Sequence, residues 1–188
     1  MTGPGLGRES INSLFQELND ELGRRGAKAD LFLVGGAALA LVYDATRPTR
    51  DLDAVFLPTD VVRAAAAALA ERHALAADWL NDAVKDFLPG PDPGATRYFE
   101  ADHLTVDVAS AEYLLAMKLF ASRVEADAED IAFLYRTLDY TTVDEGLDLV
   151  QSVYRGRPID AKAQFLLEEI VDSLHGDGGD TAGAADSA

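Results

Sequence analysis

The stretch that decides the fold of this chain is Asp30–Leu57, D-L-F-L-V-G-G-A-A-L-A-L-V-Y-D-A-T-R-P-T-R-D-L-D-A-V-F-L. Its apolar start, Leu31–Val34, is typical of a buried strand and runs directly into Gly35 and Gly36. A glycine pair lets the backbone turn sharply and approach another group closely, because no Cβ is in the way. A helix that starts at Ala37 would place its free N–H groups and positive dipole end beside that pair, which suits a phosphate.

The end of the same stretch predicts a second strand that carries two carboxylates. Asp51 and Asp53 alternate with Leu52 and Ala54. Because residues two apart in a strand face the same side, both carboxylates are expected on one face and the apolar side chains on the other. Two neighbouring carboxylates repel each other, and a divalent cation between them explains the pair. Mg²⁺ is commonly bound by one or two carboxylates together with substrate phosphate oxygens.

Gly-Gly followed by Arg-x-Thr-x-Asp-Leu-Asp resembles the nucleotidyltransferase fold of the DNA polymerase beta type. More narrowly, it resembles the AbiEii and MenT-type toxins of bacterial toxin–antitoxin pairs. The matching residues are Gly35, Gly36, Arg47, Thr49, Asp51 and Asp53. Many members have Gly-Ser where this chain has Gly35-Gly36, so only backbone N–H groups remain to contact phosphate here. The resemblance covers about residues 30–135 and implies an α/β (α+β) fold, with a small mixed sheet flanked by helices and a helical C-terminal part.

The resemblance also implies a third carboxylate on a neighbouring strand. Arg97–Val108 reads as a strand pair with a turn near Ala101-Asp102, and in its second half Asp107 faces away from an alternating apolar set. By resemblance, Asp107 joins Asp51 and Asp53 as ligands of Mg²⁺ or Mn²⁺ and polarises the attacking hydroxyl. The local pattern alone favours an ordinary exposed aspartate on a half-buried strand, and the upstream motif favours the catalytic role instead.

Lys118 lies in the apolar helix that Ser110 opens, within L-L-A-M-K-L-F-A-S-R. A lysine in this setting can extend its ammonium to water, or it can reach a triphosphate as a point charge. The resemblance favours the second interpretation and implies a supporting aspartate in the acidic run that follows. Asp127 and Asp130 both qualify, and we prefer Asp130 as the catalytic partner.

The segment W-L-N-D-A-V-K-D-F, Trp79–Phe87, is predicted to form one or two helical turns. One interpretation gives Asn81 and Lys85 a solvated face and points Trp79, Leu80, Val84 and Phe87 inward. The other keeps Asn81 as a functional candidate, because the segment resembles its counterpart in some of the bacterial relatives.

The remaining helices follow from apolar periodicity and capping signals. We expect an amphipathic helix over Glu9–Arg25, and a crossover helix over Val61–His73 that joins two strands. Thr142-Val-Asp-Glu145 is a capping box that opens a helix to Tyr154. A last helix is expected over Ala161–Leu174, and a break before it contains Arg155 and Arg157, which are assigned to a helix C-terminus.

These elements divide the chain into four predicted parts. Residues 1–7 form a flexible N-terminus, 8–109 the nucleotidyltransferase core and 110–175 a helical part packed on that core. Residues 176–188 are rich in glycine, alanine and aspartate and form a disordered acidic tail.

Composition limits the possible functions. The chain of 188 residues contains no cysteine, which excludes disulfides, thiol chemistry and cysteine zinc sites. No apolar run approaches the roughly 20 residues of a membrane span, and no signal peptide is recognised, so a cytoplasmic location is expected. Sixteen basic residues against 33 acidic ones give a net charge of −17. Such a surface repels nucleic acid unless the basic residues are clustered.

The expected reaction is transfer of a nucleoside monophosphate from a nucleoside triphosphate to an acceptor, with release of pyrophosphate. The toxin resemblance implies that the acceptor is a tRNA 3′ end and that the partner is a cognate antitoxin protein. One alternative is a nucleotidyltransferase that modifies a protein or a small molecule such as an antibiotic, which the negative charge favours. Another alternative is a non-catalytic binding module with the same fold. The presence of all three carboxylates and of Lys118 is evidence against it.

Overall fold

The computed structural model describes residues 5–44, 48–121 and 124–177. The chain divides into two compact units, of which the first comprises Met1–Leu88 with Asp92–Ser110 and the second Pro89–Pro91 with Ala111–Ala188. The first unit contains the sheet, and the second contains helices. The predicted mixed α/β class is confirmed.

Within the described part of the first unit, five strands form one mixed sheet in the order β3-β2-β1-β5-β4. Strand β1 pairs antiparallel with β2 and parallel with β5, while β3 runs parallel to β2 and β4 antiparallel to β5. The strands are β1 Ala29–Leu33, β2 Leu52–Leu57, β3 Leu80–Asn81, β4 Thr96–Glu100 and β5 Leu104–Val108.

One face of this sheet is apolar and closed. Its buried side chains alternate along β1, β2 and β5 and are Leu31, Leu33, Leu52, Ala54, Phe56, Leu104, Val106 and Val108. The opposite face, here called the polar face, carries Phe32, Asp53, Val55, Thr105 and Asp107, all of them half-buried. The predicted alternation around the Asp-Leu-Asp motif is therefore confirmed.

Two long helices of this unit contact each other, and each contacts the sheet. Helix α1, Arg8–Arg24, buries the predicted apolar row of Ile11, Leu14, Phe15, Leu18 and Leu22. Helix α3, Thr59–His73, joins the parallel strands β2 and β3, so the predicted crossover is confirmed. A third helix of four residues, α2, covers Gly35–Ala38 and continues as a π-helical turn over Leu39–Tyr43.

The segment Trp79–Phe87 differs from its predicted helical form. Its start is the short strand β3, and only Ala83–Phe87 winds into a 3₁₀ turn. The buried Trp79 indole donates from Nε1 to the carbonyl of Ala66 at 3.0 Å. Phe87, predicted to point inward, is 65% exposed. The start of the segment is extended instead of helical because β3 pairs with β2. Local periodicity does not reveal such a pairing.

The second unit consists of helices α4 Ala111–Ala121, α5 Val124–Thr137, α6 Val143–Val153 and α7 Ala161–Asp177. Helix α4 packs against α5 and α6, and α7 against the same two helices. The predicted capping box at the start of α6 is confirmed, because Thr142 and Glu145 exchange side-chain and backbone hydrogen bonds. Throughout the described ranges, no helix is both long enough and apolar enough to cross a membrane.

Helices α5 and α6 approach closely at Gly146. A Cβ on this glycine would lie 2.0 Å from the Tyr135 hydroxyl and 2.9 Å from Leu167 Cδ2. Tyr135 is fully buried and donates to the carbonyl of Thr142 at 3.3 Å. Burial raises the pKa of Tyr135 well above its ordinary value.

Arg157 stacks on aromatic rings, although the sequence assigned it to a helix C-terminus. Its guanidinium carbon lies 5.5 Å from the centroid of the Phe120 ring and 6.0 Å from that of Tyr154. These two rings are themselves stacked at 4.0 Å. The contact of Arg157 with Phe120 joins residues far apart in sequence, so it leaves no local signal.

Candidate functional site

The glycine pair lies directly against the predicted site residues of the next strand. Gly35 has φ +63°, a conformation that side chains disfavour, and a Cβ there would lie 3.0 Å from Asp53 Oδ2. A Cβ on Gly36 would lie 3.2 Å from Thr49 Oγ1. Gly35 therefore combines a backbone conformation that favours glycine with a close approach to Asp53, while a side chain at position 36 would crowd the Thr49 hydroxyl only slightly. The backbone N–H of Val34 also donates to the carbonyl of Asp53 at 3.0 Å.

The helix after the glycine pair is shorter than the sequence suggested. It begins at Gly35 instead of Ala37, and after four residues its backbone widens into the π-helical turn. The buried row Ala37–Leu41 fixes this segment in the core. A phosphate bound at this turn would therefore interact with the backbone N–H groups of the glycines, and not with the dipole of a long helix.

Thr49 forms hydrogen bonds that fix the segment immediately before β2. Its hydroxyl donates to the carbonyl of Asp51 at 2.9 Å. Its backbone forms a two-way bridge with Leu6, with N–O distances of 2.6 and 3.0 Å. Thr49 therefore positions Asp51, and its predicted contact with nucleotide stays a prediction. Arg47, predicted to bind nucleotide, lies outside the described residues.

The two carboxylates of the Asp-Leu-Asp motif flank a fully buried leucine. Asp51 immediately precedes β2, and Asp53 is its second residue. The pKa of the Asp51 carboxyl is raised, first by burial and then by the negative charges of Asp53 and Asp78, against the opposing charge of Arg50. Sequence reasoning missed Asp78. Only the parallel pairing of β3 with β2 brings the residues before Leu80 beside Asp51.

This pair fits a divalent cation. Burial and neighbouring negative charge raise the pKa of Asp51, and a bound cation would offset that effect. The absence of a side chain on Gly35 leaves space beside Asp53 Oδ2. Two hard oxygen donors next to a glycine turn suit Mg²⁺ with phosphate oxygens completing its shell. Within residues 5–44, 48–121 and 124–177, no three acidic or histidine side chains are grouped closely enough to bind a metal ion.

Asp107 lies on the same polar face as Asp53, but its carboxylate forms an ion pair with Arg97. Phe32 on the central strand pairs with Val55 on one side and Asp107 on the other, so β1 separates the two aspartates. The Arg97 Nε lies 2.5 Å from Asp107 Oδ1, and Arg97 also contacts Glu100 at 2.8 Å. The role of Asp107 as a third metal ligand stays a prediction.

In the second unit, Lys118 is held by both candidate aspartates. Its Nζ lies 2.7 Å from Asp127 Oδ1 and 2.6 Å from Asp130 Oδ2. The exposed fractions of the three side chains are only 12%, 16% and 12%. The ammonium therefore does not extend to water. The resemblance predicted one supporting aspartate, whereas helix α5 provides two, Asp127 and Asp130.

Five of the arginines that the structure describes in the first unit form ion pairs with carboxylates. Glu21 alone accepts from three of them, and Asp82 holds a fourth. The pairs are Arg24–Glu21, Arg25–Glu21, Arg72–Glu21, Arg72–Glu17 and Arg63–Asp82. Arg97, between Asp107 and Glu100, adds another.

Residues 9–156 match the model of the family described as "Nucleotidyltransferase of unknown function (DUF6036)". The match covers most of the chain, which therefore belongs to this family. Searches of curated proteins and of solved structures gave no match.

Proposed function

We propose that this member of the nucleotidyltransferase family moves a nucleoside monophosphate from a nucleoside triphosphate to an acceptor in a metal-dependent reaction. The observation that supports this proposal is the close approach of the Gly35 backbone to Asp53 and of the Gly36 backbone to Thr49. A backbone turn that a phosphate can approach thus stands beside the two carboxylates best suited to a cation.

Each of the predicted functional residues has a proposed task. Asp51 and Asp53 hold Mg²⁺ or Mn²⁺, which supplies charge neutralisation for the transferring phosphoryl group. The Gly35–Gly36 backbone receives phosphate oxygens. Asp107 orients and polarises the acceptor hydroxyl once its carboxylate leaves Arg97. Lys118, supported by Asp127 and Asp130, interacts with the triphosphate by resemblance to the toxin family.

For the acceptor, we propose the 3′ end of tRNA, with the protein acting as the toxin of a toxin–antitoxin pair. This proposal rests on the order of the Gly-Gly, Arg-x-Thr-x-Asp-Leu-Asp and lysine motifs. Arg47 is the arginine named in the Arg-x-Thr-x-Asp-Leu-Asp motif, and its proposed task is to contact nucleotide or RNA phosphate.

A second candidate acceptor is a protein or a small cationic molecule. The ion-paired arginines of the first unit favour it, because a guanidinium held by two carboxylates offers little attraction to RNA. The net charge of −17 acts in the same direction.

The test is transfer of radiolabelled nucleoside triphosphates, each of the four in turn, with Mg²⁺, into total RNA and separately into total protein. We expect label at tRNA 3′ ends, lost in Asp53→Asn and in Arg47→Glu. With about four phosphate contacts, tRNA affinity should fall with salt with a log–log slope of roughly −3 to −4. Label in protein or a small amine, with tRNA untouched at low salt, would establish the second candidate. Absence of label from every acceptor would leave a binding module.

A further inference from the structure

The pairing of β3 with β2 places Asn81 beside Asp53. Their backbones are register partners, as are those of Leu52 and Leu80 one residue earlier. Both leucines are buried, at 0% and 5% exposure. Since successive side chains in a strand alternate in direction, Asp53 and Asn81 point together to the polar face. Adjacent strands lie about 4.8 Å apart, so the two side chains are immediate neighbours.

The residues on either side of Asn81 are anchored to helix α3. Trp79 is buried and bonded to the Ala66 carbonyl. The Asp82 carboxylate accepts two hydrogen bonds from Arg63, at 2.7 and 2.8 Å. Asn81 therefore stands on a backbone fixed at both ends.

The orientation of the Asn81 amide is determined by a backbone donor. The N–H of Ala83 donates to Asn81 Oδ1 at 3.2 Å. Because an N–H group only donates, the amide oxygen must face Ala83 and the NH₂ group must face the other way. Throughout the described part of the chain, this NH₂ group has no hydrogen-bond partner. A fixed, uncharged donor is thus presented beside the Asp51–Asp53 pair.

We propose that Asn81 is a further substrate-binding residue of this site and donates from its NH₂ group to a phosphate oxygen of the nucleoside triphosphate. The inference rests on the proposed function, since it assumes that the triphosphate lies at Asp51 and Asp53. Two carboxylates offer acceptors only, so a phosphate beside them needs donors from other groups. An amide meets that need without an ion pair that would compete with the cation for the carboxylates.

The decisive variant is Asn81→Asp, which keeps an oxygen for the Ala83 N–H and removes the NH₂ donor. Binding of each of the four nucleoside triphosphates with Mg²⁺ is measured by calorimetry, together with the matching nucleosides. We expect an unchanged melting temperature and triphosphate affinity reduced roughly ten- to hundredfold, as for loss of a hydrogen bond to a charged group. Affinity for nucleoside, which lacks phosphate, should not change.

Two further variants separate the donor from charge and folding. Ala83→Asp adds the same charge two residues away and keeps the amide, so its triphosphate affinity should remain close to wild type. Asn81→Ser is neutral and retains an acceptor for the turn. It should lose affinity in the same direction, and it replaces Asn81→Asp if that protein fails to fold.

The outcomes are distinguishable. Wild-type triphosphate affinity in both position-81 variants overturns this inference and leaves the proposed function standing. An equal loss in Ala83→Asp and Asn81→Asp, with Asn81→Ser unaffected, assigns the effect to charge and also overturns it. A wild-type protein that binds no triphosphate overturns the proposed function and the inference together.

Discussion

Arg97 Nε lies 2.5 Å from Asp107 Oδ1, across the antiparallel strands β4 and β5. Both side chains are well exposed, at 47% and 39%, so solvent screens the pair and its contribution to stability is small. The pair instead limits how freely Asp107 can bind a metal ion, because the Arg97 guanidinium already contacts the carboxylate that the resemblance assigns to the metal.

Replacing Arg97 should therefore release Asp107. In Arg97→Gln, we expect a melting temperature close to wild type, because solvent screens the exposed pair. We also expect half-maximal transfer to require less Mg²⁺. Asp107→Asn should abolish most transfer with little effect on melting. Mg²⁺ titrations of initial rate check both statements. An unchanged Mg²⁺ requirement in Arg97→Gln, together with an active Asp107→Asn, would make Asp107 an ordinary exposed aspartate.

Asp51→Asn should inactivate the protein while stabilising it. The raised pKa of Asp51 means that folding favours its protonated form, so the benefit is complete below the unfolded-state pKa of about 3.9 and is lost as pH rises through the folded value. At pH 7 the ionised carboxyl opposes folding, and the asparagine relieves that cost.

The measurements are the transfer rate and the melting temperature from pH 3 to pH 8. We expect a loss of several powers of ten in rate, and a gain in melting temperature at pH 7 that disappears near pH 3. Asp30→Asn, at an exposed position of β1, is the matched control and should change neither quantity. Wild-type transfer by Asp51→Asn and Asp53→Asn would refute the role assigned to the motif.

Lys118→Met should destabilise the helical unit. It would leave Asp127 and Asp130 without their shared cation, and removing one partner from a buried ion pair costs about 3–5 kcal/mol. Thermal unfolding measures the loss. Lys85→Met serves as the control because Lys85 is half exposed and lies 3.5 Å from its partner. An unchanged melting temperature for Lys118→Met would contradict the buried network.

A compensated variant then isolates the role of Lys118 in nucleotide use. Adding Asp127→Asn and Asp130→Asn to Lys118→Met should recover much of the stability, because none of the three cluster positions then carries a charge. If Lys118 also interacts with triphosphate, this triple variant stays weak in nucleotide binding despite its restored fold. Wild-type binding by the triple variant would assign Lys118 to structure alone.

Glu21 should make the first unit sensitive to acid. Hydrogen bonds from Arg24, and then from Arg25 and Arg72, lower its pKa to about 2. The resulting stabilisation is present above the unfolded-state pKa, about 4.3, and is lost as pH falls toward 2. We expect Glu21→Gln to melt below wild type at pH 7, with the difference shrinking between pH 5 and pH 2. Glu9→Gln, at an exposed position of the same helix, should show no such trend.

Sequence reasoning succeeded where a pattern is local. The burial of Leu52 and Ala54 follows from alternation, and the capping box at Thr142 from spacing. It failed where one residue depends on another that the fold brings close. Asp78 beside Asp51 and Asn81 beside Asp53 both require the β2–β3 register, which the segment's helical periodicity concealed.

The same limit applies to charged side chains. The Arg97–Asp107 pair spans ten residues, and the Lys118 cluster joins residues nine and twelve apart on two helices. The amino-acid composition gives the number of these charges but does not show which of them form ion pairs. The acidic balance therefore suggested a repelling surface but gave no sign that Arg24, Arg25, Arg63, Arg72 and Arg97 are already ion-paired.

The close approach at Gly146 has a consequence for how variation in this family is interpreted. Tyr135 is fully buried, so a larger residue at position 146 meets a hydroxyl that has nowhere to move. In a saturation mutagenesis screen, this position should accept glycine almost alone, although it bears no functional group. A glycine that never varies there would record the spacing between two helices, and a ranking of positions by invariance would mistake it for part of the chemistry.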